Sequence, residues 1–236
     1  MKPSHIPRCT ALVFLPFEDD LNPSVRMTPY PSQTIFNSVT KLQRGRDSGT
    51  PAFKYIDSIE GKKHIVLFYE DREYARLVEF RFIKNGLDRN ERCVYATEED
   101  TGLVVLKMLS YGIPLSYFQN GMVQVLQVRE KRGDVGYILE KAKSEAERLL
   151  HGLVPPFRIV SKLVPDVDSK SGIQAELEME QATHKKFDNF GGSLICPYDI
   201  SKIEPTRRKE WIKRLTGSHH VAIHVAEFGK SSVMCS

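Results

Sequence analysis

The sequence predicts an α/β fold with a mostly parallel central sheet and helices on both faces. Three observations carry that expectation. Short apolar runs alternate with amphipathic helical patterns over most of the chain, the order of strand and helix that a parallel sheet needs. One run, His64–Tyr69, is almost continuously apolar, as a strand covered on both faces requires, and a helical pattern follows it at once. Most helical patterns then stop at or just before a glycine: Gly86, Gly112, Gly152 and the pair Gly191-Gly192.

Residues 1–60 differ in texture from the rest. Pro3, Pro7, Pro16, Pro23, Pro29 and Pro31 break the pattern and polar residues dominate 32–50, so a flexible or loosely docked extension is expected, with a single strand over 11–17. Residues 61–228 read as one α/β domain and 229–236 as a tail. In the helix after the first strand, Tyr74, Leu77, Val78 and Phe82 recur at three- and four-residue spacing, and Asn85-Gly86 ends it. Residues 93–97 form the second strand, completing a βαβ unit. A helix over 102–111 places Leu103, Leu106 and Leu109 on one face, 115–120 is a turn, and 122–128 is a valine-rich third strand. The helix over 134–150 has the clearest stripe: Val135, Ile138, Leu139, Ala142, Ala146, Leu149 and Leu150. A strand over 157–164, a helix over 173–187 with Ile173, Leu177 and His184 near one face, and a strand over 193–196 follow. A helix over 205–216 carrying Trp211, Ile212 and Leu215 and a strand over 221–226 complete the pattern.

With 236 residues, 41% of them hydrophobic, the chain is long enough to bury a sizeable core. No apolar run approaches the roughly 20 residues that span a bilayer and the N-terminus shows no leader pattern, so a cytoplasmic protein without a membrane partner is expected. The net charge of +4 is spread along the chain. Its densest basic stretch, Arg207-Arg208-Lys209 with Lys213 and Arg214, reads as a solvated helix face, because no DNA-binding motif accompanies it. Cys9, Cys93, Cys196 and Cys235 form no C-x-x-C, which points to buried thiols rather than disulfides or zinc ligands. No metal or cofactor is expected: His220 and His224, four residues apart on a strand, would stand about 13 Å from each other.

Between the first strand and its helix, a nucleotide-hydrolysing fold would carry a glycine-rich loop with a lysine to hold phosphates. Here that position reads Tyr69-Glu70-Asp71-Arg72-Glu73, with no glycine and three acids. Nucleotide hydrolysis is disfavoured.

The residues nevertheless resemble a RecA/KaiC-type core. Its F-x-x-x-G-L-x-x-G-E helix end matches Phe82, Gly86, Leu87, Asn90 and Glu91, with Asn90 in place of a glycine, followed by Cys93-Val94-Tyr95 and the pair Glu98-Glu99. Together with the missing phosphate loop, the combination is similar to the MEDS domain, a sensory module of methanogen and methylotroph regulators found in a dichloromethane-responsive repressor. The matching residues are His64 with Leu67-Phe68-Tyr69, then 194–199 ending Cys196-Pro197-Tyr198-Asp199, then His219 or His220, so that the resemblance covers about residues 60–226. It implies a three-layer P-loop NTPase-like fold without its phosphate grip, serving as a sensor for small hydrocarbon-derived compounds. Output would pass through another protein, since no DNA-binding domain is evident.

In open parallel sheets ligands bind beyond the carboxyl ends of the strands, so the loops 70–72 and 97–101 are expected to face the site. The candidate ligand-binding residues are Tyr69, Glu70, Glu98, Glu99, Arg129, Cys196, Tyr198 and Asp199, and His64 joins them through the resemblance. Each also has a plain structural reading: loop solvation for the glutamates, a half-buried ring with a wet tip for Tyr69, a strand-to-helix turn for 196–199, and a structural histidine at 64. A thiol nucleophile at Cys196 is disfavoured because no base can be placed beside it. The expected function is a non-hydrolytic sensory domain that binds a small organic ligand or a regulatory protein partner in signalling or transcriptional control. An ATPase or phosphotransferase using Glu98 and Glu99, and a RecA-like scaffold that assembles into homo-oligomers, are the alternatives.

Overall fold

The structure, a computed structural model, describes residues 49–235. The strand expected over 11–17 and Cys9 lie outside them. Among the described residues, seven strands form one sheet in the order β3-β2-β4-β5-β1-β6-β7. They are β1 (His64–Tyr69), β2 (Arg92–Thr97), β3 (Val123–Gln127), β4 (Phe157–Val160), β5 (Gly192–Asp199), β6 (Val221–Val225) and β7 (Ser231–Cys235). Every neighbouring pair is parallel except β6 and β7. The central strand β1 pairs with β5 in the register Val66↔Cys196 and with β6 in the register Val66↔Ala222. The crossover from β1 to β2 spans two intervening strands, β4 and β5, so the expected βαβ unit does not join neighbours.

The helices are α1 (Pro51–Ser58), α2 (Arg72–Leu87), α3 (Thr101–Tyr111), α4 (Leu115–Gln119), α5 (Val135–Leu150), α6 (Lys170–Lys185) and α7 (Arg208–Thr216). Short polar side chains start four of them. Asp71, Asp100, Asp134 and Ser169 each accept a backbone N–H from the first turn of α2, α3, α5 and α6, satisfying donors that a helix start leaves open. Because successive strand residues face opposite ways, the sheet splits the core in two. Ile65, Leu67, Tyr95, Ile195 and Ile223 pack under α1, α2 and α3 on one face. Val66, Phe68, Val94, Cys196, Tyr198 and Ala222 pack under α5, α6 and α7 on the other.

Several expectations are corrected. The extension through residue 60 ends in α1, whose Ala52, Phe53 and Ile56 are buried; burying each of the larger two stabilises by about 1.5–3 kcal/mol, so this helix is part of the domain and not loosely docked. Its attachment also explains the supposed tail: β7 adds to the sheet edge, and Ser231 Oγ accepts the Ala52 N–H at 3.1 Å. Residues 115–119 are a short helix and not a turn, and β4 ends at Val160 instead of residue 164. In α3 the buried side chains are Val104, Met108 and Tyr111, whereas Leu103 and Leu106 are exposed. Gly86 lies inside α2 and does not stop it. It is needed because Arg158 crosses there: a Cβ would stand 2.6 Å from Arg158 Cδ. The left-handed backbone falls on Asn90, at φ 61°, which accounts for the glycine usual at that place in the resembling motif.

Candidate functional site

Two sites emerge, one on each face of the sheet. The first is the expected crevice beyond the carboxyl ends of the strands, about 1100 Å³ with its open mouth, lined by Tyr69, Glu98, Glu99, Asp199 and five cations. Its charges are largely consumed by one another. Arg76 Nη2 donates to Glu99 Oε1 at 2.7 Å, Lys107 stands 3.6 Å from the other Glu99 oxygen, and Lys162 stands 3.3 Å from Glu98. Arg72 donates to the fully buried Glu79 at 2.5 Å and to the Tyr95 hydroxyl at 3.0 Å, and its guanidinium lies over the Tyr69 ring. Burial opposes ionisation of Glu99, yet Arg76, Arg72 and Lys107 together hold its carboxyl below the usual range. Burial pushes the Tyr69 phenol up to about 12. At the position of a phosphate loop, Asp71 Oδ1 takes the N–H groups of Glu73 and Tyr74.

The second site lies on the opposite face, under α6. His64, the first residue of β1, is fully buried, and its Nε2 lies 3.0 Å from Glu180 Oε2 and 3.6 Å from Cys196 Sγ. His219, at the turn before β6, brings its Nε2 to 3.4 Å from the same carboxylate oxygen, with the two imidazole rings 4.0 Å apart. Burial holds His64 below its usual range although Glu180 acts the other way, while Glu180, despite its burial, is held well below the carboxylate range by His219 and His64. The consistent reading is a neutral His64 donating to an ionised Glu180. Burial and the Glu180 charge push the Cys196 thiol well up. The Tyr198 hydroxyl lies 2.6 Å from Glu180 and 2.8 Å from Glu176. A phenol has one proton to give, so the second contact uses a proton of Glu176, whose carboxyl burial and the neighbouring Glu180 push up to about 8.

Beside this cluster opens a half-enclosed hollow of about 540 Å³ with its mouth, walled by Ile159, Leu163, Met179, Phe190 and Leu194. Glu176, Glu180, Cys196 and Ser161 supply its polar surface. Ser161 is 5% exposed, and its hydroxyl has no hydrogen-bond partner among the described residues.

The sequence-predicted residues are therefore not one group. Tyr69, Glu98, Glu99 and Asp199 meet in the crevice. Cys196 and Tyr198, expected there with Asp199, face the other side because alternate residues of β5 point to opposite faces. Glu70 is turned away toward β6, where its carboxylate faces His224 Nε2 at 3.0 Å and its N–H donates to Val225 O. Arg129 is exposed in a separate shallow depression with Glu98, Glu130 and Asp166. His64 does stand on the face away from the crevice. The base that the sequence could not place beside Cys196 is His64, and the thiol is pushed well up by burial and the Glu180 charge. His220 and His224 serve different partners, His64 N–H and Glu70. The residues missed in the sequence are Glu176, Glu180 and Ser161. For the first two a signal existed, since they lie in phase with the buried Ile173 and Leu177 on α6, where a carboxylate is out of place.

Comparison with known proteins agrees with this architecture. Residues 63–214, more than half of the chain, match the family model described as MEthanogen/methylotroph, DcmR Sensory domain. No curated protein matches. Similar solved structures include a Pyrococcus horikoshii OT3 protein, PH0250, at 11% identity and TM-score 0.53, covering 78% of this chain and 92% of that one. The KaiC-like protein PH0186 of the same archaeon is 15% identical with TM-score 0.50, covering 80% of this chain and 85% of that one. A third solved structure, an ATPase domain, is 9% identical with TM-score 0.50, covering 85% of each chain. At these identities the likeness shows the RecA/KaiC-like fold alone. With the fold and the match from β1 through most of α7 in agreement, the chain belongs to the MEDS family of sensory domains.

Proposed function

We propose that the domain senses a small organic molecule with an apolar body and one hydrogen-bonding group, held in the hollow between α5, α6 and the strands β4 and β5. The observation that carries this reading is the unpartnered hydroxyl of Ser161 in a mostly apolar wall whose two carboxylates, Glu176 and Glu180, are already bonded to Tyr198. An unsatisfied buried polar atom costs about 1–3 kcal/mol, which a ligand donor or acceptor would recover. The crevice is larger, but its paired charges offer nothing to an apolar compound. A nucleotide hydrolase using Glu98 and Glu99 fits the KaiC-like neighbours, yet both carboxylates are engaged by cations and the first turn of α2 is already capped.

The test is calorimetric titration of the full chain with short-chain alcohols, ketones and chloroalkanes. At least one class binds the wild type. Ala146→Trp, which fills the hollow from α5, abolishes binding, and Ser161→Ala weakens binding of an alcohol or ketone by about 0.5–1.5 kcal/mol. Binding that survives Ala146→Trp, or binding of none of the three classes, contradicts the proposal.

A further inference from the structure

We propose that His64, Glu180, Cys196 and His219 form a binding site for one divalent transition-metal ion of the zinc type. The four side chains come from β1, α6, β5 and the turn before β6, all are buried, and one donor atom of each lies within 4.8 Å of the others. Bonds of about 2.0–2.3 Å in tetrahedral array place neighbouring ligand atoms roughly 3.3–3.8 Å apart. The separations of 3.0 Å, 3.6 Å and 3.4 Å along His64–Glu180, His64–Cys196 and Glu180–His219 lie close to that spacing before any adjustment.

His219 supplies a second, independent observation. Its Nδ1 lies 2.7 Å from Leu215 O, and a carbonyl only accepts, so Nδ1 carries the proton. Nε2, the ring's other nitrogen, is then the one turned toward Glu180 and the donor set, and this fully buried nitrogen has no hydrogen-bond partner among the described residues. A ring whose outer N–H is committed to a backbone carbonyl while its inner nitrogen faces a donor set is the arrangement in which histidine ligates metals. His64 adapts in the same sense: with a metal on Nε2 its proton moves to Nδ1, which has no other partner among the described residues. Nitrogen and sulfur donors select a transition ion over calcium or magnesium. Charge closes as well, because the Glu180 carboxylate and a Cys196 thiolate together balance a divalent ion. Binding converts the thiol to a metal-bound thiolate and releases its proton to solvent. Cys196 and Glu180 also line the apolar hollow, which gives the ion a route in, but the site requires no organic ligand.

The experiment uses tag-free full-length protein, stripped by chelator and then loaded with Zn²⁺ or Co²⁺. One zinc per chain survives desalting, and the cobalt form shows a thiolate-to-cobalt charge-transfer band in the near ultraviolet. Cys196→Ser removes that band and lowers zinc affinity by at least the roughly 10- to 100-fold that loss of an outer-shell partner alone costs, whereas Cys9→Ser and Cys235→Ser keep both. Should Cys196→Ser fail to fold, His219→Gln, checked by far-ultraviolet circular dichroism, decides through the same loss of affinity with the band retained but shifted. Absence of stoichiometric zinc in the wild type overturns the proposal. So does zinc bound equally tightly by the folded variants.

Discussion

Asp71 Oδ1 accepts the Tyr74 N–H at 3.1 Å, closing the start of α2 with the chain's own carboxylate. Helix starts are ready-made anion sites when their N–H groups are free, and here the nearest two are taken and a negative charge sits in front of them. Millimolar Mg-ATP is therefore expected to leave the thermal midpoint unchanged and to give no phosphate release. Asp71→Ala should cost about 1 kcal/mol in urea denaturation without creating nucleotide affinity.

Arg158 on β4 is almost fully buried, and its carboxylate partner among the described residues is Glu91, at 2.8 Å from Nε; Nη1 donates to Phe82 O at 3.0 Å. Removing one partner of a buried pair leaves an uncompensated charge, so Glu91→Ala should lower stability by about 3–5 kcal/mol. Gly86→Ala, which drives a methyl group into the Arg158 side chain, should cost about 1–3 kcal/mol. Both are read from denaturant midpoints at constant slope.

Glu99 gives the pH dependence. Its folded-state value lies below the ordinary 4.5, so its ion pairs with Arg76 and Lys107 contribute stability above that pH and lose it as pH falls through the lowered value. The carboxylate is over a third exposed, which limits the effect to below about 1 kcal/mol. The stability difference between wild type and Glu99→Gln should be constant near neutrality and close progressively below pH 4.5.

Much of this was legible in the sequence. Six of the seven strands and five of the helices lie where apolar runs, helical spacing and capping residues place them, because those signals are local. What was not legible depends on distant partners. Pro51 at a helix start and the three-residue spacing of Phe53 and Ile56 are only a short local signal in Pro51–Ser58, which lies beyond a polar stretch and is packed against α2 and β7, and β7 itself opens on Ser231-Ser232 with only three apolar residues after them. The candidate site failed for a different reason. Cys196, Tyr198 and Asp199 are neighbours in sequence but alternate across the sheet, so one motif feeds two separate sites. His64, Cys196 and His219 converge through the parallel register of β1, β5 and β6, and α6 carries Glu180 across that face to meet them.

Leu103 and Leu106 illustrate the same limit on helical patterning. Both are more than half exposed, above the outer strand β3, and neither belongs to the core beneath α3. Replacing both by lysine should shift stability by no more than about 0.5 kcal/mol per site, whereas Met108→Ala, in the same helix, should cost about 2–5 kcal/mol.

The most direct test of ligand uptake in the hollow is a methyl-NMR titration of protein labelled at methionine. Met179 lines the hollow, whereas Met234 lies exposed on β7 across the sheet edge. A short-chain alcohol, ketone or chloroalkane that binds should move the Met179 methyl signal saturably, leave Met234 in place, and have no effect on Met179 in Ala146→Trp. A saturable response at Met234 or elsewhere with Met179 unmoved would contradict the account.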